Sequence, residues 1–354
     1  MSHPVPEAPR KTLLLLTVDT ESSMAGTTPL PPGQMVYGRV DGEAWGIERI
    51  MDCCDARGVK ATFFVSTLEE VYHGEDHVRR MCSTILERGH DAQVHLHPNW
   101  WRDDFARKRL TDYSLDEQRE VVRLAREAYI RACGAEPVAH RAGGLLVNAD
   151  SLRALAENGI GIDASVAPGY HPYDLGDGVA EPTVPRRIGG VAEVPVTTFT
   201  QLRLGNWAPG RNFDINADSL AELKFVVDRA AAQGVAAVSV LMHSFSFVGR
   251  APDGSRFWPA PHELRKFERF LVHAVAHDGI EVVTFRELAG RLAADPGLLD
   301  GPEFRATSGL ARTYCRSWER FGTGWKSKAF ALGLPLAAAG LAAALLGAVC
   351  WLAS

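Results

Sequence analysis

Apolar positions along the chain switch between two periods. Short runs such as TLLLLTVD (12–19), KATFFVS (60–66), DAQVHLHP (91–98), IGIDASV (160–166), VAAVSVLMHS (235–244) and IEVVTF (280–285) are rich in β-formers and bounded by turn residues, which predicts strands. Longer stretches with apolar residues at helical spacing lie between them: 42–58, 75–89, 114–134, 149–159, 218–234, 261–279 and 285–293. Several end at a glycine, and Ser114 with Glu117 forms a capping box ahead of the longest. This β–α alternation from residue 11 to 295 predicts a mostly parallel sheet with covering helices, either a (β/α) barrel or an open doubly wound sheet. In both, sites are built at the C-terminal strand ends. Asp19, His95, Arg141, Asp163 and His243 fall there.

The remaining segments are the ends of the chain. The apolar run Leu13–Leu16 has four residues, against about 7–15 in an export signal, so the expectation is a buried strand after a short tail (1–10). Residues 296–328 are charged and aperiodic, and read as a juxtamembrane linker. From Ala329 to Ala353 there are 25 residues without a charge, and about 20 suffice to span a bilayer as helix. Arg312, Arg316, Arg320, Lys326 and Lys328 precede that stretch. The positive-inside rule then predicts a single-pass C-terminal transmembrane helix with the large body in the cytoplasm. Trp318, Trp325 and Trp351 would sit at the interfaces.

Composition narrows the function. Of 354 residues, 46% are hydrophobic and 23% charged, and the net charge is −5. That argues against a nucleic-acid binder, which needs a basic face. The six cysteines show no CxxC or other metal spacing. No fixed-period repeat, Walker A loop, GxGxxG after the first strand or GxSxG elbow occurs.

The polar residues at the strand ends carry the chemistry. Asp19 and Glu21 in TVDTE share a strand face, as do His95 and His97 in QVHLHP. Two carboxylates there either hold a metal, divide into base and ligand, or are simply solvated. Two imidazoles on one face can chelate a divalent ion, with Val94 and Leu96 on the buried side; Asn99 could add an amide oxygen. His243 at the mouth of an apolar strand suits proton transfer or a structural role equally. Arg141 in AHRAGG suits holding a carboxylate. Gly143 and Gly144 allow close backbone approach to a ligand, and Asp163 could orient a histidine. Trp100 and Trp101 either line a sugar groove or pack inside, the commoner role.

In order along the chain, TVDTE, GHDAQVHLHP, HRAGGLLVNADSLRALAENGIGIDASV, VPVTT, LMHS and GIEVVTFRELAGRL resemble the motifs of the polysaccharide deacetylases, the NodB-homology carbohydrate esterases (family 4). The resemblance covers residues 11–292. It implies a distorted (β/α) barrel and a metal-dependent amidase that removes an acyl group from an amino sugar. By position, Asp19 would be the general base, His95 a metal ligand, Arg141 the partner of Asp19 and His243 the general acid, with Asp163 a candidate partner of His243. Three features depart from the family pattern: Thr20 follows the first acid where a second is usual, Asn99 stands four after His95 where a histidine is usual, and RAGG lacks a proline. The expected ligands are therefore Glu21, His95 and His97, with Asn99 the alternative third. The expected cofactor is a divalent metal, zinc. Gly143, Gly144 and Trp100 are the expected substrate-binding residues. The expected partner is an N-acetylated or N-formylated amino sugar, polyprenyl-linked because of the membrane segment. Two other readings stand beside this one: a non-catalytic glycan-binding or scaffold protein on the same fold, and a metal-dependent hydrolase of another amide or ester.

Overall fold

The computed structural model describes residues 10–25, 28–102, 107–176, 178–179 and 181–320, with 328–329, 332–333 and 335–337. Counting only the main-sheet strands and the helices of nine residues or more, the order is β1 (Thr12–Thr20), α1 (Ile47–Asp55), β2 (Thr62–Ser66), α2 (Glu75–Leu86), β3 (Asp91–Leu96), α3 (Leu115–Cys133), β4 (Ala139–Ala142), α4 (Ala149–Glu157), β5 (Ile162–Asp163), β6 (Arg186–Ile188), β7 (Val191–Glu193), α5 (Leu220–Gln233), β8 (Ala237–His243), α6 (Pro261–Val275), β9 (Ile280–Val283), α7 (Phe285–Ala294) and α8 (Leu310–Glu319). These strands pair in the order β6-β7-β5-β4-β3-β2-β1-β8. β9 lies against the first half of β1, and β2 pairs with its second half. Every pairing is parallel except β6 with β7. Among the described residues β6 and β8 do not pair, so the sheet curls into a half-barrel rather than closing.

The leucine run of β1 follows from burial on both faces, as in parallel sheets covered by helices. Leu14, Leu16 and Val18 join a core with Ile47, Ile50 and Met51 of α1. Leu13 and Leu15 join a second core inside the curl with Phe64, Ile162, Val283 and Phe285. Strand alternation continues that inner face to Thr17 and Asp19. The expected capping box forms: the Ser114 hydroxyl accepts from the Glu117 N–H, and the Glu117 carboxylate accepts from the Ser114 N–H at 3.0 Å, a cap of the kind that contributes ~1 kcal/mol.

Residues 296–320 are not the aperiodic linker expected from the sequence. Thr200 bridges to Thr307, and α8 packs against α5 with its Arg316 guanidinium 2.8 Å from Oε1 of buried Glu222. The linker reading failed because this docking uses a buried ion pair, which apolar periodicity does not reveal. Among the described residues no helix is long and apolar enough to cross a membrane. Most of the stretch 329–353 expected to span one lies outside the described residues.

Candidate active site and metal centre

Parallel register sets the site. Asp19 pairs with His243, Ser66 with His95, and His95 with Arg141, so side chains distant in sequence reach one rim. Asp19, 4% exposed, receives a 2.7 Å hydrogen bond from Nη1 of Arg141. Arg141 is fully buried. It also donates to the Thr17 hydroxyl at 2.8 Å and to the Ala164 carbonyl at 2.9 Å, and it lies over the Phe64 ring. Burial by itself would raise the Asp19 carboxyl; the Arg141 guanidinium, with His95 and His243, outweighs it and holds the group below its ordinary range.

Glu21, His95 and His97 converge, with ligand atoms all within 4.8 Å of one another. Oε2 of Glu21 is 3.6 Å from Nε2 of His95 and 2.6 Å from Nε2 of His97. The His95 Nδ1–H donates to the Arg141 carbonyl at 3.0 Å, which leaves the Nε2 lone pair facing Glu21. Nε2 of His97 is buried and makes no hydrogen bond despite the nearby carboxylate. Burial would raise the Glu21 carboxyl, but the His97 and His95 imidazoles overcome it and hold it well below the usual carboxylate range. One carboxylate oxygen and two imidazole nitrogens, one of them an orphan, fit a divalent cation bound with positions left open. His97 lies just past the end of β3 rather than on it, and still reaches Glu21.

Gly143 plays a part the sequence did not show. A Cβ there would stand 2.3 Å from Nδ1 of His97, so the missing side chain seats the imidazole. Gly144 has φ +70° and its carbonyl accepts from Nε2 of His171 at 2.9 Å. A cleft of about 290 Å³ opens here, lined by Glu21, His97, Asn99, Lys108, Arg109 and Gly144, among others. Asn99 therefore borders the same space as His97. His243 terminates β8 beside Asp19 and stacks on Phe245.

Two expectations are corrected. Asp163 does not face His243. The alternation of β5 turns Ile162 into the curl and Asp163 to the outer face, where Oδ1 meets Nδ1 of His140 at 2.7 Å and the Ser165 hydroxyl at 2.8 Å. Glu193 lies beside it in register. The acid Glu193 inside the apolar run VAEVPV was a signal for this buried cluster, since an unpaired acid is rarely buried. Trp100 borders the cleft as expected, but it is 2% exposed and meets the Tyr72 ring edge-on at 5.2 Å, so it packs there rather than offering an open ring face. Glu69 was also missed; fully buried, it accepts from the Ser22 N–H at 2.7 Å and so fixes the turn after Glu21.

Residues 41–162 match the family model described as polysaccharide deacetylase. The match covers part of the chain and bears out the resemblance drawn from the motif order. Among solved structures, a protein from Mycobacterium smegmatis that carries a polysaccharide deacetylase assignment is similar at 18% identity and a TM-score of 0.51, over 84% of this chain and 94% of that one. PuuE allantoinase is similar at 14% identity and a TM-score of 0.50, over 82% and 95%. At these identities the likeness establishes the fold. No curated protein sequence matches the chain.

Proposed function

We propose that the chain is a metal-dependent deacylase acting on an N-acetylated or N-formylated amino sugar. The observation that carries this reading is the convergence of Glu21, His95 and His97 beside the Asp19–Arg141 pair. Those three side chains would hold a divalent metal, zinc by its preference for imidazole and carboxylate. When bound, the metal would supply Lewis-acid polarisation and make water a better nucleophile near neutral pH. Asp19, kept ionised by Arg141, takes the proton from the attacking water. His243 delivers a proton to the amine nitrogen as the C–N bond breaks. The backbone at Gly144 offers an N–H to the developing oxyanion. Arg141 moves no proton; it holds the base in place.

The substrate follows from the uncharged stretch 329–353. We read it as a bilayer anchor with the body on the cytoplasmic side. An enzyme held there meets lipid-linked precursors sooner than finished extracellular polymer, so a polyprenyl-linked amino sugar is the proposed substrate. The test joins elemental analysis of the purified full chain to amine release from N-acetyl and N-formyl amino-sugar lipids and their soluble counterparts. About one metal per chain and faster turnover of the lipid-linked form are expected. Asp19→Asn and His243→Ala should abolish turnover and keep the metal. Protein that binds no metal and releases no amine would instead support a non-catalytic glycan binder.

A further inference from the structure

Helix α8 is built inside out. A surface helix normally turns its apolar stripe to the protein and its charges to water. In α8 the buried positions are Thr313 and Arg316, 4% and 8% exposed. The helix is held by polar contacts: Arg316 with Glu222, the Glu319 carboxylate accepting from the Leu220 N–H at 3.3 Å, and the Arg312 guanidinium over the Phe225 ring. Leu310, Ala311, Tyr314, Cys315 and Trp318 recur at spacings of three and four on the opposite side. Leu310 is 46% and Trp318 57% exposed. The loop that hydrogen-bonds to the start of α8, through Gly309 N–H to the Gln201 carbonyl, carries two more exposed apolar residues, Leu204 and Trp207.

We propose that the outward face of α8 lies in the headgroup region of a bilayer and sets the orientation of the barrel on it. This rests on the anchor reading above and extends it to a docking surface. The occupant is argued from continuity. Only nine residues (320–328) separate α8 from the uncharged stretch that begins at Ala329, and Arg320, Lys326 and Lys328 lie among them. The described residues of that stretch are helical, with Leu332 and Leu336 exposed. An anchor starting so close keeps α8 near the membrane surface, where an apolar stripe with basic flanks partitions about 5–10 Å into the interface. The ion pair to Glu222 fixes which side of the barrel follows.

The test reconstitutes the full chain in phosphatidylcholine–phosphatidylglycerol vesicles containing lipids brominated near the headgroup or deep in the acyl chain, and reads tryptophan quenching. Trp318→Phe should remove part of the shallow quenching, and Trp351→Phe should remove quenching that serves as the control for the anchor. If Trp351 contributes quenching and Trp318 does not, the anchor stands and the docking surface falls. If neither contributes, both readings fall. Cross-linking of Cys315 between two chains, with Trp318 unquenched, would overturn the bilayer in favour of a second copy as the occupant.

Discussion

Gly143 and His97 are in such close contact that no side chain fits between them: a Cβ on the glycine would lie 2.3 Å from Nδ1 and 2.6 Å from Cγ of the ring. Gly143→Ala must therefore push the imidazole away from Glu21. Metal affinity measured against a competing chelator should fall about 10–100-fold, the range typical for loss of a group that orients a ligand. Gly144→Ala is the control. It meets nothing within 4 Å and adds only backbone strain at φ +70°, ~1 kcal/mol. It should lower stability and leave metal affinity within about twofold.

The Asp19–Arg141 pair is anchored at more points than charge needs. Arg141 holds Asp19, Thr17 and the Ala164 carbonyl at once. A lysine keeps the charge but cannot reproduce that fork. Arg141→Lys should fold, with kcat down about 10²-fold, as a misplaced catalytic group predicts. Arg141→Met leaves Asp19 buried without its counter-ion and should cost about 3–5 kcal/mol in denaturant unfolding. Equal effects of the two variants on stability would refute this division.

Glu193 and Asp163 are neighbouring buried acids with opposite tendencies. Burial, reinforced by Asp163, pushes the Glu193 carboxyl well above its usual range, so it is held neutral. Burial also works against ionised Asp163, but His140 and Ser165 donate to it and bring it below its ordinary value. Glu193→Gln replaces a neutral acid by a neutral amide and should change stability by less than about 1 kcal/mol. Asp163→Asn keeps one oxygen for His140 and the Ser165 hydroxyl but loses the charge and the second acceptor, Oδ2, which takes the Ser165 N–H at 3.3 Å, and should cost about 1–3 kcal/mol. The check is chemical denaturation of both at neutral pH.

What the sequence made legible divides along physical lines. Strands such as 12–20 and helices such as 115–133 were visible because burial on two faces, or on one face, writes a period into the residues. The convergence of Asp19, Glu21, His95 and Arg141 was visible because parallel alternation sends every strand end to one rim. The partner of Asp163 was not, because choosing between the two faces of a two-residue strand needs the register with His140. Helix α8 was missed because its apolar residues, Leu310, Ala311, Tyr314, Cys315 and Trp318, stand among charges in a segment read as a linker, while its inward face is Thr313 and Arg316, held by an ion pair that apolar spacing does not mark. Trp100 shows the limit for single residues, since an indole next to a site can face the cleft or pack against Tyr72.

His90, next to the start of β3, couples folding stability to pH. His90 is 3% exposed. Its Nδ1 accepts from the Ala61 N–H at 3.1 Å, and its Nε2–H donates to Asp55 at 3.1 Å. A proton on Nδ1 would break the first bond, and burial, the largest influence, brings the imidazole down to about 4. In the unfolded chain it titrates near 6.5. As pH falls from about 6.5 towards 4, the unfolded chain takes up a proton that the folded protein refuses, so stability is complete above that window and declines through it. The gap corresponds to about 3 kcal/mol. Asp55, held to about 2 by hydrogen bonds from Lys60 and Arg88 that overcome its desolvation, adds its own loss only at lower pH. Urea unfolding at pH 7, 5.5 and 4.5 should show the decline in the native protein and a flatter profile in His90→Asn. An unchanged slope in the variant would assign the acid sensitivity to other groups.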